Sequence, residues 1–249
     1  MEFDIEAMDT AHSYRLLASV VVPRPIALVS TLDAGGTVNA APFSFFNMIG
    51  SSPPTVVLGV GNKEPGTPKD TRANIERTGE FVVNLVHYDL ADAMNLCAIE
   101  FPEGESELQH AGLTAVPSVR IAAPRLAEAR VQLECHLHSV VEVGDNKIVL
   151  GQVVFLHIDD EFVDGEKRHV RANALELIGR MHGGGWYVKT TDLFELPRPN
   201  YADWLAKQKQ AGLDMSGGQS HDAEHKVSDW RNWRTFGCRA GSILLVSAN

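Results

Sequence analysis

Apolar residues along the chain gather in short runs bounded by glycine, proline, asparagine and aspartate. Ile26-Ala27-Leu28-Val29 is apolar and turns polar at Ser30-Thr31, predicting a strand over 26–31. Asp33-Ala34-Gly35-Gly36 suits the positive φ angles of a hairpin turn, and the chain leaves it along Val38-Asn39-Ala40-Ala41. Thr55-Val56-Val57-Leu58-Gly59-Val60, rich in β-branched residues and preceded by Pro53-Pro54, predicts a buried strand, and Phe81-Val82-Val83-Asn84-Leu85-Val86 another. The long runs Ala129 to Val143 and Lys147 to Ile158, separated by Gly144-Asp145-Asn146, are the clearest hairpin in the chain.

Helical spacing is scarcer. Residues 70–77 predict a short helix, with Asp70 or Thr71 as cap and Gly79 as terminator. Asp89 to Ala98 carries Leu90, Ala93, Met94 and Cys97 at helical intervals, and Ala172 to Met181 reads as a further short helix before Gly183-Gly184-Gly185. Many strands with few helices between them favour a mainly β barrel with peripheral helices over a doubly wound sheet. The texture changes after Pro197-Arg198-Pro199, so the expected organisation is a domain over 1–199 and an extension over 200–249. In that extension Asp203 to Gly212 predicts an amphipathic helix, Ser216 to Ser220 breaks the pattern, and Trp204, Trp230 and Trp233 stand among polar residues.

Bulk composition narrows the function classes. The 249 residues are 44% hydrophobic and 22% charged, ordinary for a soluble globular chain. A formal net charge of −10 argues against a broad nucleic-acid or anionic-membrane surface, while leaving room for a local cationic spot the size of one phosphate. Cys97, Cys135 and Cys238 are far apart and form no C-x-x-C pair. The acidic Met1 to Glu6 stretch lacks a signal pattern and no apolar run reaches membrane-spanning length, so a cytoplasmic location is expected.

Several motifs are excluded by their chemistry. Gly59-x-Gly61 has Glu64 where a dinucleotide fingerprint needs glycine, and Gly61 to Lys69 lacks the Gly-Lys-Ser/Thr ending of a P-loop. His136 and His138 alternate on a strand, but two ligands alone do not make a zinc site, and no metal is expected. What is left is a dispersed set of small polar groups: Ser30 and Thr31, the stretch Ala41 to Asn47, and Lys69-Asp70-Thr71 with Asn74 at a helix start. Free N–H groups there, joined by a lysine and hydroxyls, would suit a phosphate; equally, Asp70 could merely cap and Lys69 be solvated.

Arg24-Pro25-Ile26-Ala27-Leu28-Val29-Ser30-Thr31, Gly36 and Asn39 to Asn47 resemble the opening of the flavin reductase-like, FMN-binding split-barrel family, which includes nitrilotriacetate monooxygenase component B and flavoredoxin-like proteins. Lys69-Asp70-Thr71 with Asn74, Phe81 to Asn84, Glu134-Cys135, Gly151 to Val154, His157-Ile158, and Gly183-Gly184 with Tyr187 continue the likeness in order, over roughly residues 12 to 195.

The resemblance implies an FMN-binding split β-barrel of Greek-key type. It implies that Ser44, Lys69 and Thr71 hold the FMN phosphate with Asn74 nearby. Ser30, Thr31, Ala41, Pro42, Phe43, Ser44 and Phe45 would line the ribityl chain and ring. Tyr187 would contribute near a homodimer interface, and His157 would be the catalytic polar group near the nicotinamide. The implied activity is an NAD(P)H-dependent flavin reductase, with NADH or NADPH as co-substrate, that could supply reduced flavin to a partner monooxygenase. The alternatives are a flavoredoxin-like electron carrier and a direct FMN-dependent oxidoreductase acting on a small substrate.

Overall fold

The computed structural model describes residues 1–64, 66–102, 105–166 and 169–210. Trp230, Trp233, Gly212 and the Ser216 to Ser220 stretch lie outside the described residues. The chain divides into one unit over Met1–Phe194 and another over Glu195–Asn249. In the second, the described helix is Tyr201–Gln210, with Asn200 Oδ1 accepting from the Asp203 N–H at 2.8 Å at its start.

In the first unit, seven antiparallel strands form one sheet. Their spatial order is Val38–Phe43, Ala27–Leu32, Glu80–Leu85, Val131–Val143, Asn146–Ile158, Pro54–Val60 and Phe46–Ser51. The two outermost strands are consecutive in the chain, joined only by Ser44 and Phe45. Extended chain spans at most about 3.6 Å per residue, so the two edges must lie close together and the sheet must curl until they meet. Within that link the Phe45 carbonyl accepts from the Gly59 N–H at 2.7 Å, extending the pairing of Phe46–Ser51 with Pro54–Val60. Glu80–Leu85, Val131–Val143 and Asn146–Ile158 lie side by side in chain order, and the preceding strand Pro54–Val60 sits beside the last of them, which is Greek-key order. This first unit is a split β-barrel.

Strand alternation separates two cores. Ala27 and Val29 point into the barrel with Phe43, Leu58, Phe81, Val83, Cys135 and Val149. Ile75 of the Asp70–Thr78 helix is fully buried in the same cluster and plugs one end. The opposite faces of the same strands, carrying Leu28 and Ala40, pack outward against Met94, Leu108 and Leu126. The chain thus buries both faces of its first two strands, which is why they read as apolar runs rather than clean alternation.

Three expectations change. The cap of the Asp70–Thr78 helix is Lys69, in extended conformation with no side-chain cap bond, and not Asp70 or Thr71; Gly79 does end it, at φ 72°. Asp89 to Ala98 is a single 3-10 turn, Tyr88–Leu90, followed by the shorter helix Ala91–Leu96. Ala172 to Met181 is not helical: turns lead into a strand, Ile178–Arg180, paired with Arg24–Pro25 and Tyr187–Lys189. Leu175 and Ile178 have helical spacing, but the backbone pairs with the end of the neighbouring strand instead. Ile178 N–H donates to Val86 O at 3.0 Å and Tyr88 N–H to Glu176 O at 3.0 Å, with Glu176 at φ 49°. The helix Thr10–Val20, capped by Asp9, has no counterpart in the sequence reading.

Candidate functional site

One cleft opens where the Val38–Phe43 edge strand meets the start of the Asp70–Thr78 helix. Ala41, Pro42 and Phe43 form one wall; Lys69, Asp70 and Thr71 form another; Glu107 and the 97–101 segment close it. Pro42 fits because it lies on an edge strand, where a missing N–H costs no ladder bond. Lys69 holds the N-cap position without capping, so the first-turn amides face no side-chain acceptor of the helix's own. Its ammonium is about half exposed, and its carboxylate neighbour Glu100 is 4.0 Å away. Lys63, by contrast, is engaged with Asp70 at 2.6 Å. An uncapped helix start with a loosely held lysine is an anion-attracting geometry.

Behind these residues runs a buried polar layer. Thr71 is buried, and its Oγ1 lies 3.1 Å from the Asn39 side-chain amide. Asn74 is also buried and donates from Nδ2 to Thr31 Oγ1 at 3.1 Å, so Thr31 supports Asn74 rather than lining the cleft. Asn74 borders a second, adjoining cleft with Asp33, Thr37 and Arg77, and the two share Asn39, Asp70, Phe101 and Glu107. Glu107 is 8% exposed and accepts from the Ala40 N–H at 3.0 Å. Burial raises its carboxyl above the ordinary glutamate range, and the bond from Ala40 only partly opposes that. Cys97 also lines the cleft, but burial and the Glu107 charge push its thiol up to about 12, so it is no nucleophile at neutral pH.

The other expected site residues lie elsewhere. Ser30 faces the outer core, donating to Pro124 O at 2.6 Å and accepting from Asn84 Nδ2 at 3.0 Å. Ser44 sits half-buried in the link between the edge strands, and Phe45 is exposed, with the Arg24 guanidinium 6.0 Å from its ring centroid. Tyr187 stacks under Arg180 at 4.7 Å in the small three-stranded sheet. His157 lines neither cleft. Its Nε2 is 2.6 Å from Glu134 Oε1, and that fully buried carboxylate also accepts from the Val119 and Arg120 N–H groups at 2.7 Å each. Sequence reasoning missed Glu107. Nothing local marks it, because a short helix brings it against a strand 67 residues earlier.

The chain is thus a split-barrel protein with an anion-attracting cleft at one strand edge. Residues 19–174 match the model of the flavin reductase like domain, and the chain belongs to that family. A Deinococcus radiodurans protein is 45% identical over 207 residues, 81% of this chain and 91% of that protein. The crystal structure of the Pseudomonas fluorescens 2-nitrobenzoate 2-nitroreductase NbaA is similar at 35% identity and TM-score 0.74, covering 81% of this chain and 98% of that one. Nitrilotriacetate monooxygenase component B from Bacillus cereus is similar at 31% identity and TM-score 0.74, covering 79% and 98%. No helix among the described residues is long and apolar enough to cross a membrane.

Proposed function

We propose that the chain is an NAD(P)H-dependent flavin reductase that holds FMN in the cleft between the edge strand and the Lys69 helix start. The observation that carries this reading is the convergence, in a chain of this family, of Lys69, Thr71 and uncapped first-turn amides at the mouth of an apolar strand edge. A phosphate monoester fits that donor set, with Lys69 supplying charge and the amides direction. Ala41 and Pro42 leave a flat edge against which a planar ring can lie, and Ser44 and Phe45 come next in the chain, outside the cleft lining. When bound, FMN would supply the redox chemistry, accepting hydride from NADH or NADPH. The chain's own work is binding, orientation and exclusion of water, so no strong general base is needed.

The molecule is proposed to work as a homodimer. Tyr14, Leu17, Val20 and Val21, from the first helix and its end, are exposed, as are Phe45, Met48 and Ile49. The Tyr14 and Phe45 rings meet edge to face at 6.4 Å, joining these residues into one apolar surface of the kind that marks an interface. Similarity to a monooxygenase component B supports delivery of reduced flavin to an oxygenase partner. Similarity to NbaA supports a second reading, direct reduction of a small nitroaromatic on the bound flavin. NAD(P)H oxidation separates them: turnover with free FMN as acceptor supports the first, and turnover only with 2-nitrobenzoate the second.

A further inference from the structure

The buried wall of the cleft contains a carboxyl, an amide and a hydroxyl in series. Glu107 Oε1 lies 3.3 Å from one terminal atom of the Asn39 amide, and Thr71 Oγ1 lies 3.1 Å from the other. The two Asn39 orientations differ in hydrogen-bond polarity. With Glu107 ionised, Asn39 Nδ2 must face it; Asn39 Oδ1 then accepts from Thr71 Oγ1 at 3.1 Å and from the Ala40 N–H at 3.3 Å. The Thr71 proton is thereby committed to Asn39 and unavailable to the cleft. With Glu107 protonated, its O–H donates to Asn39 Oδ1, and Asn39 Nδ2 donates to Thr71 Oγ1. The Thr71 O–H is then free to point at an anion. The Ala40 N–H keeps Glu107 Oε2 as its acceptor throughout.

We propose that Glu107 is a positioning residue of the anion cleft, its protonation state setting, through the orientation of the Asn39 amide, whether Thr71 donates to a bound phosphate monoester. The inference rests on the reading of the cleft as the FMN phosphate site and adds a linkage to it: binding takes up one solvent proton at Glu107. Burial already favours the neutral carboxyl, and an arriving phosphate favours it further. Asp33 and Arg77 line the adjoining cleft together with Glu107. Asp70 raises its pKa and Lys63 lowers it; Cys97, on the facing segment, stays a neutral thiol. On its own helix and the preceding loop, His110 and Glu105 pair with each other at 2.6 Å and are about half exposed. Lys69 stands near Glu100. A group whose pKa rises on binding makes binding tighten as pH falls.

The test is FMN titration calorimetry across mildly acidic to mildly alkaline pH, in buffers of different ionisation enthalpy, on the full chain and on Glu107→Gln. Glutamine reproduces the protonated pattern, accepting from Ala40 and donating to Asn39. Glu107→Gln should therefore bind FMN about five- to tenfold tighter than the unmodified protein at alkaline pH, the value of one hydrogen bond. The two should converge on acidification, with excess proton uptake only in the unmodified protein. The phosphate's own ionisation is common to both and cancels. Thr71→Val should erase the difference between them. Identical pH profiles and no excess proton uptake would overturn the inference while leaving the flavin site standing. A difference that survives in Thr71→Val would show a bare charge effect and also overturn it. No FMN binding at any pH would remove the flavin reading itself, and this inference with it.

Discussion

At the scale of single residues, charge recognition is proposed for Lys69 and structural anchoring belongs to Glu134. Lys69→Ala should weaken FMN binding by about 1.5–3 kcal/mol, the worth of a charge-assisted hydrogen bond, as read by a flavin fluorescence titration. An unchanged Kd would take Lys69 out of the site. Burial alone would push the Glu134 carboxyl up, but bonds from Val119, His157 and Arg120 together outweigh it and hold the group below its ordinary value of 4.5. Its contribution to stability is therefore fully present above that value and is lost as pH falls through the lower folded-state pKa. Urea midpoints measured down the acid range should fall more steeply for the unmodified protein than for Glu134→Gln; parallel curves would contradict this. His157→Ala should lower the urea midpoint, because it removes a partner of a buried carboxylate, and leave the NADH oxidation rate per folded molecule unchanged. A rate loss at unchanged stability would instead return His157 to the nicotinamide. Lys69, Thr71 and Ala41 to Phe43, which short motifs carry, line one cleft. Ser30 bonds to Pro124 on the outer face of its strand, and alternation on a strand buried on both faces does not tell beforehand which core a residue joins.

At the scale of elements, the barrel depends on close approach between facing strands. A Cβ built on Gly151 would meet the Phe81 ring inside van der Waals contact, with Cε1 at 2.9 Å, and Phe81 is fully buried. Gly151→Ala should cost about 1–3 kcal/mol by overpacking, checked by chemical denaturation; a neutral effect would mean that the Phe81 ring has room to move. The strands over 26–31, 55–60 and 81–86 and the hairpin at 143–146 were all readable, since β-branched runs and turn residues coincide there. The strand Phe46–Ser51 was not anticipated, nor was the segment 172–181 assigned correctly. Phe46–Ser51 pairs with the next strand in the chain, Pro54–Val60, whereas for 172–181 backbone partners distant in sequence decided the outcome, and such partners leave no local pattern. Glu107 belongs with the second case, its place fixed by a contact between a short helix and the edge strand.

At the scale of the whole molecule, the exposed apolar surface around Tyr14 and Phe45 predicts association. Light scattering should give twice the 27.2 kDa chain mass, and Phe45→Glu should halve it; a monomer in the unmodified protein would contradict the proposed interface. The family assignment and the cleft meet in one claim, that this barrel binds FMN through its phosphate and presents the ring to a nicotinamide. Anaerobic titration of the FMN-loaded protein with NADH and with NADPH, followed through the flavin's visible absorbance, tests that claim most directly. The protein should retain FMN in the titration, and one nicotinamide should bleach it stoichiometrically. Failure to bind FMN, or bound FMN that neither nicotinamide reduces, would contradict that claim.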